Sequence, residues 1–145
     1  MMINYRKYTD DDYEFVYNLK KDAYKEYVIK YYGEYDEEDQ KSRFDERINN
    51  IKDNVFIIYY NEKIKLGFYT LSLYDDYVEL ENICILPEYR GLGIASKVIK
   101  DIIKYNKKDI KLQYFKDNPV YKLYEKLGFV VDGENENHYT MTRKR

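Results

Sequence analysis

The chain has 145 residues, 36% of them charged and 44% hydrophobic, with 25 Lys and Arg against 27 Asp and Glu for a formal net charge of −2. That length suits one compact domain with a sizeable core, and the balanced charge supplies no basic field for a phosphate backbone, so no nucleic-acid partner is expected. One Cys and one His exclude an internal disulfide and leave multi-cysteine and imidazole metal sites short of ligands, so no metal is expected.

Ile3, Tyr5 and Lys7 alternate as a short first strand. Thr9-Asp10-Asp11-Asp12 supplies N-cap chemistry and negative charge for a helix start. Phe15, Val16, Leu19, Ala23, Tyr24 and Tyr27 then recur at three- and four-residue intervals, which predicts a helix from Asp10 to about Ile29 that Gly33 breaks. The acidic residues 36–39 open a second helix to about Ile51, with Phe44, Ile48 and Ile51 on one face. The acidic run reads first as a solvated helix start; as a loop it also offers charge to a cationic partner.

Val55–Tyr60 is apolar, β-branched and aromatic, and a turn at 61–63 leads into the alternating strand Ile64–Leu73. It is the longest apolar run and far shorter than a bilayer span, and the first seven residues lack an apolar core of signal-peptide length. Neither membrane insertion nor export is expected, and the lone Cys suits a reducing cytoplasm. Asp75-Asp76 turns the chain into a third meander strand over residues 77–86, which Pro87 ends. Leu80 and Ile83 lie three apart whereas Ile83 and Ile85 lie two apart, so a bulge near Glu81 or Asn82 is expected.

Arg90-Gly91-Leu92-Gly93-Ile94-Ala95 runs into a helix carrying Ile94, Val98, Ile102 and Tyr105 at helical spacing, with polar residues from Ser96 to Lys108. Glycines at such a turn let backbone N–H groups converge on an anion, with the helix dipole behind them. A dinucleotide fingerprint fails for want of a third Gly, and a nucleotide-hydrolase phosphate loop fails because no Gly-Lys-Ser/Thr follows. Ile110, Leu112 and Tyr114 form another strand. Asp117-Asn118-Pro119 starts a helix through Lys126 with Gly128 as its cap, and 129–131 with 138–142 make a last hairpin. The chain is thus read as one domain over 1–145, an α/β (α+β) fold with a mixed sheet.

Arg90-x-x-Gly93-x-Ala95, followed one helix and one strand later by Asn118 and Leu123-Tyr124-Glu125-Lys126-Leu127-Gly128-Phe129, resembles the GNAT superfamily of acetyl-CoA-dependent N-acyltransferases. The resemblance covers essentially the whole chain. It implies a mostly antiparallel twisted sheet of about six to seven strands flanked by about four helices, in the order β-α-α-β-β-β-α-β-α-β-β. It implies acetyl-CoA as co-substrate, its pyrophosphate on the backbone of Arg90, Gly91, Leu92, Gly93, Ile94, Ala95 and Ser96, and its pantetheine along Ile83, Cys84 and Ile85. Asn118 and Tyr121 complete the expected cofactor contacts, and Tyr124 is the expected acid on the departing thiolate. The expected acceptor is a primary amine on a small molecule or peptide, and pairing into a homodimer is common in such sheets. An alternative of the same fold is a domain that holds acetyl-CoA as a sensor without turnover.

An ammonium of pKa about 10.4 must lose a proton before it attacks, and Glu81 is the candidate base, with Glu79 second. Leu80 stands where some members of the superfamily carry Glu, so the base does not follow from the resemblance. Cys84 reads as a small buried hydrophobe; its rival reading is a thiol nucleophile paired with His138.

Overall fold

The computed structural model describes residues 2–145. In chain order these form β1 (Asn4–Lys7), α1 (Tyr13–Tyr32), α2 (Glu37–Ile51), β2 (Val55–Tyr60), β3 (Ile64–Leu73), β4 (Tyr77–Ile85), α3 (Ile94–Tyr105), β5 (Asp109–Phe115), α4 (Tyr121–Lys126), β6 (Val130–Glu134) and β7 (His138–Arg143). The order is the one expected from the sequence. The strands make one seven-stranded sheet, β1-β2-β3-β4-β5-β7-β6; β4 and β5 run parallel, whereas β1–β2, β2–β3, β5–β7 and β6–β7 are antiparallel. The chain divides into two compact units, one of Met1–Thr70 with Asn82–Leu86 and one of Leu71–Glu81 with Pro87–Arg145.

In the first unit, α1 and α2 bury Val16, Leu19, Phe44, Ile48 and Ile51 in a cluster with Val55, Ile57, Phe68 and Cys84. Tyr17 joins this core, although the sequence stripe omitted it; its ring sits edge-on to Phe44 at 5.1 Å and its hydroxyl donates to Glu37 Oε1 at 2.8 Å. The phenol therefore keeps its polar tip satisfied while the ring is buried. Residues 10–12 form a single 3₁₀ turn rather than the start of α1. Asp12, 0% exposed, is drawn inward by Arg6 and Lys65, both of which pair with it.

In the second unit α3 buries Ile94, Val98, Ile99 and Ile102. Tyr105, expected on that stripe, is 77% exposed: it is the last residue of the helix, and Lys104 Nζ lies 5.4 Å from its ring centroid. The helix also stops three residues before Lys108, because Asn106 is extended and its side chain donates to Lys108 O at 2.7 Å. β5 carries Ile110, Leu112 and Tyr114 inward, and β7 pairs along it from Ile110↔Arg143 to Phe115↔His138.

Candidate active site

The turn before α3 keeps the geometry that its glycines permit. Gly91 and Gly93 have φ of +77° and +80°, values open to glycine and costly for other residues, and the Cβ position of each faces open space. Arg90 N–H closes the preceding turn on Pro87 O at 3.2 Å, and Leu92 between the glycines is 61% exposed. Gly93 is the N-cap of α3, has no side chain to cap it, and no acidic residue stands in the first helical turn. The first intrahelical donor is Lys97 N–H, to Gly93 O at 3.0 Å, so the amides of Ile94, Ala95 and Ser96 have no helical acceptor. Uncapped amides, a positive dipole end and open space at both glycines fit a diphosphate.

α4 explains the second motif. Gly128 N–H donates to Glu125 O at 3.1 Å and Phe129 N–H to Tyr124 O at 3.1 Å, with Gly128 at φ +93°. These two bonds make a Schellman motif, in which the third residue from the helix end usually packs on the second residue after its C-cap. Here the two are Tyr124 and Phe129, with ring centroids 5.9 Å apart. Gly128 is thus the residue after the C-cap, Leu127, rather than the cap itself. Tyr124 is 7% exposed and its ring also meets Tyr114 at 6.2 Å, while Tyr121 stacks on Tyr114 at 6.4 Å. Burial, and then the negative charge of Glu125, push the Tyr114 phenol up.

The helix begins at Tyr121, not at residues 117–119. Asn118 Oδ1 accepts from Val120 N–H at 3.0 Å, an Asx turn that delays the first helical residue beyond Pro119. That bond occupies the oxygen of Asn118.

On β4, the parallel ladder to β5 runs over Tyr77↔Asp109, Val78↔Ile110 and Glu79↔Lys111. Glu81, in the same unit, is half-buried, with Oε2 shielded from solvent. Farther along, in the first unit, Ile83 is half-buried, whereas Cys84 and Ile85 are buried. Burial alternates at Val78 and Leu80 but falls on the adjacent residues Cys84 and Ile85, so the two-residue period of β4 does not continue to its end. Cys84 is a buried thiol, outside any disulfide, in the core cluster with Val16 and Phe68. That is the small buried hydrophobe of the first reading.

The acidic segment at the start of α2 is largely engaged within its own unit. Asp36 accepts from Asp39 N–H as N-cap, Asp39 pairs with Arg43, and Glu37 takes Lys21 Nζ at 2.8 Å besides the Tyr17 hydroxyl. Those two partners hold the Glu37 carboxyl below its ordinary range, Lys21 contributing most. Sequence spacing carried no signal for the Tyr17 and Lys21 contacts, since they come from the other helix.

A sequence model of the acetyltransferase (GNAT) family matches residues 13–129. No curated protein matches the chain. Among solved structures, the PaiA N-acetyltransferase from Thermoplasma acidophilum, in complex with coenzyme A, superposes with a TM-score of 0.72 at 22% identity, over 100% of both chains. An N-acetyltransferase from Staphylococcus aureus gives 0.74 at 17% identity, over 98% of this chain and 100% of its own. A spermidine N-acetyltransferase SpeG chimera from Vibrio cholerae and hSSAT gives 0.73 at 25% identity, over 99% of this chain and 96% of its own.

Proposed function

The chain belongs to the acetyltransferase (GNAT) family, and from that premise we propose that it moves the acetyl group of acetyl-CoA to a primary amine by direct attack on the thioester. The observation that carries this reading is the turn ahead of α3, where two left-handed glycines and an uncapped helix start leave a cradle for a diphosphate. The backbone amides of residues 91–96 hold that group, and the backbone of Ile83, Cys84 and Ile85 takes the pantetheine arm as an added strand. Asn118, its oxygen accepting in the Asx turn, offers its amide N–H₂, and Tyr121, stacked on Tyr114, adds a packing contact. Bound acetyl-CoA supplies an acyl group activated as a thioester.

The chain's own residues manage the protons. Glu81, on β4, accepts a proton from the acceptor ammonium directly or through a water. An N–H of Ile83 or Ile85 polarises the acetyl carbonyl, where charge develops. Tyr124 donates its phenolic proton to the departing sulfur. A phenol of pKa about 10 gives up a proton less readily than a thiol of about 8.5, so the positioning of Tyr124 by the Phe129 and Tyr114 rings matters more than its acidity. Similarity to a spermidine N-acetyltransferase supports a small cationic amine as the first acceptor to screen.

Calorimetric titration of the purified protein with acetyl-CoA, beside ATP and NAD, tests the donor site. We expect micromolar binding of acetyl-CoA alone and its loss in Gly93→Glu, which sets a carboxylate in the cradle and a side chain at φ +80°. Absence of acetyl-CoA binding by the folded wild-type chain would overturn the reading.

A further inference from the structure

We infer that Gly67, on β3, is a positioning residue that sets the backbone of β4 at Cys84 and Ile85, the stretch assigned above to the acyl-CoA arm. The inference rests on that assignment. Gly67 is buried within β3, and its φ is not in the left-handed region, so no conformational demand requires glycine there. Space does. A Cβ on Gly67 would stand 2.0 Å from Cys84 O and 3.0 Å from both Cys84 C and Ile85 Cα. All three are backbone atoms, so no side-chain rotation relieves the overlap.

The close approach has a local cause. β2 and β3 pair as Ile58↔Gly67 and then as Tyr59↔Lys65, which leaves Leu66 as an extra residue on β3. A bulge of this kind bends its strand and re-aims the residues beside it. In a regular strand the side-chain direction stands off the sheet, away from the partner's peptide groups; at Gly67 it meets the Cys84–Ile85 peptide. One residue on, Leu86 N–H donates to Leu66 O at 2.9 Å, so β4 is held against β3 where the side chain is missing. A methyl group at Gly67 has to push the Cys84–Ile85 peptide away by about an ångström, and with it the Ile85 N–H. Misplacement on that scale costs on the order of 100-fold in rate.

The test uses the full chain and two ligands. In Gly67→Ala, acetyl-CoA should bind at least tenfold more weakly by calorimetry, while 3′-phospho-ADP, which lacks the pantetheine arm and needs only the glycine turn, should bind within about threefold of wild type. Unchanged acetyl-CoA affinity would overturn the inference, and so would equal loss of both ligands by a folded variant, which would mark Gly67 as a residue of the fold at large. Failure of the wild-type chain to bind acetyl-CoA would instead strike the donor-site reading. If Gly67→Ala does not fold, a crystal structure of the wild type with acetyl-CoA decides. Cys84 O against Gly67 Cα, with Ile85 N–H on the ligand, sustains the inference; a Cys84–Ile85 peptide that leaves room for a methyl group, or that is not on the ligand, ends it.

Discussion

Arg6 grips Asp12 with both terminal nitrogens, Nη1 to Oδ2 and Nη2 to Oδ1, each at 2.8 Å. Lys65 adds a third charged bond at 2.7 Å and Thr9 N–H a fourth at 2.9 Å. Burial by itself would raise the Asp12 pKa, but the bonds from Arg6, Lys65 and Thr9 outweigh it and hold the carboxyl far below the usual carboxylate range. Asp12→Ala removes the shared acceptor of Arg6 and Lys65, whose own side chains keep contact with solvent, and the expected loss is about 2 kcal/mol, or about 6 °C in Tm for a chain of this length. The pH dependence has a definite sign. A carboxyl with a depressed folded pKa stabilises fully above its unfolded value of about 3.9 and loses that contribution as pH falls toward the folded pKa. Urea midpoints between about pH 5 and pH 2 should therefore fall more steeply in the wild type than in Asp12→Asn; parallel curves would refute the account.

Gly128 carries two burdens that a side chain would breach. Its φ is +93° and its Cβ position lies 3.2 Å from Arg143 Nε, the same nitrogen that donates to Leu127 O at 2.8 Å. Gly128→Ala should cost about 1–2 kcal/mol for the left-handed backbone alone, seen as a Tm lower by about 3–6 °C. Because the Schellman bonds seat Tyr124 against Phe129, turnover should fall further than stability predicts. A variant with normal turnover and reduced Tm would show that Tyr124 does not depend on this cap.

Legibility in the sequence followed how local the determining contacts are. The stripe of Ile94, Val98 and Ile102 and the alternation of Ile110, Leu112 and Tyr114 predicted α3 and β5 because burial there follows period alone. The two motifs around Gly93 and Gly128 were legible because left-handed turns demand glycine at fixed offsets from a helix. Asn118-Pro119 misled by two residues, since an Asx turn and a helix N-cap both let the side-chain oxygen accept an amide two residues on. Asp12 read as one of three acids at a helix start; its partner Lys65 is 53 residues away and no spacing rule announces it. Gly67 lies in an alternating strand with no local signal of its own, and only the position of the Cys84 carbonyl gives it a reason.

Charge reversal at Asp36 and Glu37 should act on folding before it acts on substrate. Asp36 caps α2 by accepting Asp39 N–H at 3.2 Å, and a lost cap costs about 1 kcal/mol. Glu37 satisfies the hydroxyl of Tyr17, a core ring. Asp36→Lys with Glu37→Lys should lower Tm by several degrees and leave the KM of a primary-amine acceptor within about twofold. A large rise in that KM with unchanged Tm would return these carboxylates to the acceptor site.

Tyr124→Phe separates chemistry from packing, because it deletes one oxygen and leaves the ring in place. The contacts at 5.9 Å to Phe129 and 6.2 Å to Tyr114 are made by the ring, and the Schellman bond to residue 124 is accepted by its backbone carbonyl. A general acid contributes about 10²–10⁴-fold, so steady-state turnover should fall at least 100-fold. Acetyl-CoA affinity by calorimetry should stay within about twofold, since the lost proton acts on the thiolate and not on bound thioester. Partial recovery of turnover with acyl donors whose leaving thiol is more acidic would identify the missing step, because a better leaving group has less need of the proton. Equal loss of binding and turnover would assign Tyr124 to the frame of the site, and full activity would require another donor.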